Sequence, residues 1–156
     1  MQIIFASDHA GYALKGVLLS YVRDELGYEV EDVGAYTLDT EDDYNSFVSI
    51  AVKKVAGNPE CTRAILLGGS GQGEAMQGNR LKGVRAAVLY GGEPELALEI
   101  ARLSREHNDS NVLSIGARFI SESLARDAVK LWLETEKNPE DKYARRIRVM
   151  DDDIKV

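Results

Sequence analysis

Cationic side chains, sulfur, imidazole and long apolar runs are all in short supply in this chain. Its 19 lysines and arginines are outnumbered by 26 aspartates and glutamates, leaving a formal net charge of −7. A surface of that sign offers no broad basic field, which argues against nucleic acid or an anionic membrane as partner. Any anionic ligand must then be caught by a local cluster of positive groups. The one cysteine, Cys61, can form neither an internal disulfide nor a cysteine metal cluster. The two histidines, His9 and His107, show no metal-ligand spacing, and neither a metal nor another cofactor is expected. No apolar run approaches the roughly 20 residues of a membrane-spanning helix. Met1 to Ala6 lacks the charged start and long apolar core of a signal peptide, so a cytoplasmic location is expected. What remains is 156 residues, 44% hydrophobic and 29% charged, a composition that predicts one globular domain over 1–156.

The chain does have glycine, concentrated where it matters. After the apolar run Ala64-Ile65-Leu66-Leu67 come Gly68, Gly69, Gly71 and Gly73, closing on Glu74. A buried strand must end there and give way to a loop lined by backbone. Glycines let a ligand approach the main chain, and Ala75-Met76-Gln77 reads as the first turn of a short helix, so several N–H groups converge on one point. A phosphate or a reaction oxyanion suits such a nest. Two nucleotide motifs fail. A P-loop would end Gly-Lys-Ser/Thr where this loop ends Gly-Glu-Ala, and the third glycine of a dinucleotide fingerprint is missing from both registers. The carboxylate closing the loop is the group to explain.

In order along the chain, Ile3 to Ala6 reads as a first strand, leading into the turn Ser7-Asp8-His9-Ala10-Gly11. Leu14, Val17, Leu18, Tyr21 and Val22 then form a helical stripe that Gly27 stops. Tyr28 to Val33 is an edge-like second strand, and the acidic loop 39–43 offers caps to a helix with Phe47, Val48, Ala51, Val52 and Val55 on its apolar face. Beyond the glycine loop, Arg85 to Leu89 is a fourth strand. A helix from Pro94 carries Leu96, Ile100 and Leu103 on one face, and Asn111 to Ile115 is the fifth strand. Leu124, Ala128 and Leu131 mark one more helix, and Tyr143, Ile147, Met150 and Ile154 a C-terminal one. Alternating strands and helices predict an α/β fold. The expected architecture is a three-layer α/β/α Rossmann-like sandwich around a five-stranded parallel sheet in the order 2-1-3-4-5. Ligands bind such sheets beyond the strand carboxyl ends where the winding reverses, here between strands 1 and 3. Asp8 and His9 then face the glycine nest.

Four ordered stretches carry a resemblance: Ser-Asp-His-Ala-Gly-Tyr at 7–12, Gly-Gly-Ser-Gly-Gln-Gly-Glu at 68–74, Gly-Val-Arg-Ala-Ala at 83–87 and Ser-Arg-Glu-His-Asn-Asp at 104–109. Over nearly the full chain, from residue 3 to about 148, it resembles ribose-5-phosphate isomerase type B, whose family also contains galactose-6-phosphate isomerase. The resemblance implies cofactor-free interconversion of ribose 5-phosphate and ribulose 5-phosphate. Many members carry a cysteine base where this chain has Gly68. A subgroup with Gly-Gly-Ser-Gly-x-Gly-Glu uses the glutamate instead, which implies Glu74 as the base here. The backbone of Gly69, Ser70, Gly71, Gln72 and Gly73, with the Ser70 hydroxyl, would stabilise the enediolate. By the same resemblance His107 opens the sugar ring, Asp8 and Asn108 place the sugar hydroxyls, and His9, Arg118, Lys142 and Arg146 hold the phosphate. Relatives commonly have Arg-His where this chain has Lys142-Tyr143, and lysine lacks the bidentate fork of arginine.

His107 precedes the fifth strand and so lies at the amino edge of its own sheet, away from its own switch-point loops. It has to serve another subunit's site. A homodimer with shared active sites is therefore expected, with the helix near 140–150 packing on the partner and a tetramer left open. Two rivals remain: an isomerase of a six-carbon sugar phosphate such as allose or galactose 6-phosphate, and a non-catalytic phosphosugar-binding module.

Overall fold

A computed structural model of the chain describes residues 1–154. The five strands are β1 (Gln2–Ser7), β2 (Glu29–Asp32), β3 (Thr62–Gly68), β4 (Ala86–Leu89) and β5 (Val112–Gly116). All pair in parallel, in the order β2-β1-β3-β5-β4. The expected order 2-1-3-4-5 is thus wrong at one edge, where β5 takes the place beside β3. Burial explains the exchange. Every residue of β5 is buried, as a central strand requires, whereas β4 is short and leaves Ala86, Ala87 and Val88 half-buried. The switch between β1 and β3, where the chain leaves in opposite directions, is as expected.

The helices are α1 (Tyr12–Ser20), which runs on through a wider turn to Glu25, α2 (Tyr44–Gly57), α3 (Gln72–Gly78), α4 (Pro94–Asn108), α5 (Glu122–Glu134) and α6 (Asp141–Asp153). Alternate residues of the strands point to opposite faces and build two cores. Ile3, Phe5, Ile65, Leu67, Leu113 and Ile115 pack under α1, α4 and α5, with Trp132 at the base. Ile4, Ala6, Ala64, Leu66 and Val112 pack under Val48, Ala51, Val52 and Val55 of α2. The sandwich has three layers.

Three helical expectations need correction. On α4 the buried face is Ala97, Ala101, Ser104 and Arg105, the last bonded to Asp109 and to the carbonyls of Ser110 and Thr135, while Leu96 and Ile100 are exposed. On α5, Leu131 is only half-buried, whereas Trp132 and Leu133 are buried beside Leu124 and Ala128. The acidic loop does not cap α2 through a side chain, since Asp43 holds the N-cap position without a side-chain bond and Asp42 is turned elsewhere. No residue of α6 is buried. Its Tyr143 stacks on His107 at 4.6 Å, with the rings 7° from parallel.

Candidate active site

The carboxyl ends of β1 and β3 open into a cleft of about 380 Å³ lined by Asp8, His9, Tyr44, Gly69, Ser70, Gly73, Glu74 and Arg118, with Ala10 and Phe119 at its rim. Each wall follows from local chemistry. After β1 the Asp8 carboxylate accepts from the N–H groups of Ala10 (2.9 Å) and Gly11 (3.2 Å), folding the turn that starts α1. A side chain at Gly11 would meet the Leu67 carbonyl at 2.5 Å, so that turn lies directly on β3.

The glycine loop is tighter than the sequence suggests, for α3 begins at Gln72 rather than near Ala75. Gly71 takes φ +73° to make the corner, and its carbonyl accepts from the Ser114 hydroxyl at 2.6 Å. The first bond of the helix runs from Ala75 N–H to Gly71 O, so the N–H groups of Gln72, Gly73 and Glu74 precede the ladder. Gly71 and the Gln72 side chain do not line the cleft. Gly71 is spent on the turn, and Gln72 donates to the Tyr90 hydroxyl at 2.6 Å.

Glu74 is 4% exposed, and its side chain folds back over the end of β3. A Cβ placed on Gly68 would lie 1.5 Å from Glu74 Oε1 and 2.4 Å from Cδ, so the carboxylate occupies the space a side chain at 68 would need. Burial pushes the Glu74 carboxyl above its usual range and the Asp8 charge adds to this, while a bond from its own backbone N–H opposes both. The helix N-terminus, which favours the charged form, is outweighed.

Positive charge enters from two directions. Arg118, in the turn after β5, donates its backbone N–H to Gly69 O at 3.3 Å, and its guanidinium lies 3.3 Å from the position of a Gly69 Cβ. His9 Nδ1 stands 2.7 Å from Asp42 Oδ1, and the resulting bond is the main cause that raises the imidazole above its ordinary 6.5. Asp42, expected only as a helix cap, and Tyr44 and Phe119 were given no place in the site from the sequence, where residues 42 and 44 sit in an acidic stretch with no periodic signal. Tyr44 presses its hydroxyl to 2.6 Å from a Cβ built on Gly73. Donor atoms of Asp8, His9 and Asp42 all lie within 4.8 Å of one another. Asp8 and Asp42 each accept from N–H groups of the turn through Oδ1, which ties the trio into one hydrogen-bonded cluster.

The other expected site residues are not in this cleft. His107 and Asn108 end α4 at the opposite edge of the sheet, and Asn108 borders a separate hollow with Arg85 and Met150. Lys142 pairs with Glu140 at 2.9 Å and, like Arg146, is exposed on α6. The cleft therefore joins Asp8, His9, the loop, Glu74 and Arg118, and leaves out His107, Asn108, Lys142 and Arg146.

No helix among the described residues is long and apolar enough to cross a membrane. Similar proteins share this architecture over almost the whole chain. Ribose-5-phosphate isomerase B of Mycolicibacterium paratuberculosis is 31% identical over 150 residues, covering 96% of this chain and 89% of that protein. The Escherichia coli protein of the same name is 37% identical over 132 residues, 85% of this chain and 83% of its own. The crystal structure of ribose-5-phosphate isomerase B from Mycoplasma genitalium with bound ribulose-5-phosphate superposes with a TM-score of 0.88 at 30% identity, covering 97% of this chain and 94% of that one. The family model described as Ribose/Galactose Isomerase matches residues 3–150. With its cleft at the switch of a parallel sheet and that match from end to end, this chain belongs to the ribose/galactose isomerase family.

Proposed function

We propose that the protein is an aldose–ketose isomerase interconverting ribose 5-phosphate and ribulose 5-phosphate, with residues 1–156 acting as one isomerase domain. The observation that carries the mechanism is the Glu74 carboxylate filling the space above Gly68. That position supports Glu74 as the base, since its carboxyl is raised above the usual carboxylate range and lies beside the N–H groups of the glycine loop. Glu74 takes the proton from the carbon next to the sugar carbonyl, and the backbone of Gly69, Ser70, Gln72 and Gly73 with the Ser70 hydroxyl stabilises the enediolate oxygens, Gly71 being left to make the corner. Glu74 then returns the proton to the neighbouring carbon. This is the glutamate version of the family's chemistry and needs no cofactor.

Asp8 positions sugar hydroxyls, and His9 and Arg118 take the phosphate. Ring opening falls to His107, helped by Asn108, with Lys142 and Arg146 adding to the phosphate site, all four from a partner subunit. Their separation from the cleft within one chain supports a homodimer with shared sites. A phosphorylated sugar is held inside the cell by its charge, which supports a cytoplasmic location for the enzyme.

The test is turnover of ribose 5-phosphate, with allose and galactose 6-phosphates in parallel, by wild type and Glu74→Gln. Preference for the pentose, with loss of turnover but not of phosphosugar binding in Glu74→Gln, is the expected result. Preference for a hexose phosphate would move the substrate to six carbons. Binding without any turnover would make the protein a phosphosugar-binding module.

A further inference from the structure

We propose that Asp42 is a positioning residue for phosphate binding: by holding His9 at Nδ1 it obliges the ring to meet a phosphate through Nε2, and only as the imidazolium. This deepens the sugar-phosphate reading of the cleft and rests on it. The structure carries it in one detail. Asp42 Oδ1 lies 2.7 Å from His9 Nδ1 and 3.1 Å from the backbone nitrogen of the same residue. The backbone N–H can only donate, so Oδ1 is its acceptor. The ring nitrogen beside that oxygen must then also carry its proton.

The tautomer follows. A neutral His9 with its proton on Nδ1 would present a bare lone pair at Nε2, which repels a phosphate oxygen instead of binding it. Only the doubly protonated ring donates at both ends. The Asp42 side chain is 9% exposed, and its other oxygen, Oδ2, is buried without a hydrogen-bond partner. A buried carboxylate in that state is compensated by a cation beside it, and the cation in contact is His9. The other charged groups facing the ring are Asp8 from the end of β1, which favours its charge, and Arg118 from the turn after β5, which opposes it. Glu74 lines the same cleft from α3. Asp42 sits in the loop after β2, which Lys15 ties down by donating to Asp32 at 2.6 Å and to the Ala35 carbonyl at 2.7 Å.

Asp42→Asn separates charge from shape, because an amide oxygen in the same place still accepts both bonds. With two histidines in the chain, ¹⁵N-imidazole spectra contain two ring systems, assigned with a His107→Gln sample. In wild type the His9 midpoint should lie above 6.5, and above it the neutral ring should carry its proton on Nδ1. In Asp42→Asn the midpoint should fall. KM for ribose 5-phosphate should then rise at pH 7 to 8 by about tenfold for each unit of that fall, with kcat nearly unchanged and the two enzymes converging near pH 6. An unchanged midpoint, an unchanged KM profile, or a loss confined to kcat would overturn the proposal. If Asp42→Asn failed to fold, wild type alone decides, since a neutral His9 protonated on Nε2 would also overturn it. Absence of isomerisation in wild type would instead sink the functional reading, while the spectra still judged the pair.

Discussion

Glu74 and Gly68 share one volume, and the consequences can be measured from either residue. Substitution of Glu74 by Gln should cut kcat by about 10² to 10⁴, the usual range for a lost general base. It should also reveal the cost of the buried charge. A carboxyl raised above its ordinary 4.5 contributes stability that is fully present below that value and is lost as pH rises through the folded-state value. Glu74→Gln should therefore melt higher than wild type at pH 7, and the gap should close in melts below pH 4.5. The acid limb of kcat/KM should lie above the usual carboxylate range, since the base must be ionised to act. Gly68→Ala places a methyl 1.5 Å from Glu74 Oε1, so the carboxylate has to move. A displacement of about 1 Å costs on the order of 10² in rate, and kinetics of Gly68→Ala beside its melting curve would measure it. At this scale Glu74 was legible from its place at the end of the glycine loop. Asp42 was not, because its partner lies 33 residues away and only the folded loop brings them together.

At the scale of elements, hydrophobic period located each strand and helix but not their neighbours. Asn111 to Ile115 and Arg85 to Leu89 look alike as strands. Their order in the sheet depends on which tolerates an edge, and the small, half-buried residues of β4 answered that only once packed. The α4 stripe also misled: Leu96 and Ile100 have the spacing of a core face, yet the helix turns Ala97, Ala101, Ser104 and Arg105 inward. On the shared-site proposal, the basic residues of α6 illustrate the converse, an element whose role is invisible in its own contacts. Within the chain Lys142 has a surface pair with Glu140 at 2.9 Å and lies over the Tyr143 ring at 4.7 Å, exposed contacts of little weight for stability. Lys142→Gln with Arg146→Gln should thus leave the melting temperature almost unmoved while raising KM for ribose 5-phosphate by about tenfold or more, as lost charge-assisted contacts would. An unchanged KM would remove α6 from the phosphate site.

For the molecule as a whole, the proposed base Glu74 stands at one end of the sheet and the proposed ring-opening His107 at the other, and on the shared-site proposal the two meet only between subunits related by a two-fold axis. Homodimers of Glu74→Gln and of His107→Asn should each be inactive. Mixed, dissociated and allowed to reassociate, they should recover up to about a quarter of wild-type activity, because half the dimers are then mixed and each of those holds one intact site. No recovery after exchange proven by mass spectrometry would place both residues in the same chain's site. The crowding above Gly68 reaches further than any single variant. Where the resemblance gives other members a thiol base, this chain has Gly68, and Glu74 Oε1 stands 1.5 Å from where a side chain there would begin. On the Glu74 proposal, a thiol restored at 68 would push the existing base aside instead of adding a second one, so the two bases are alternatives and not additions.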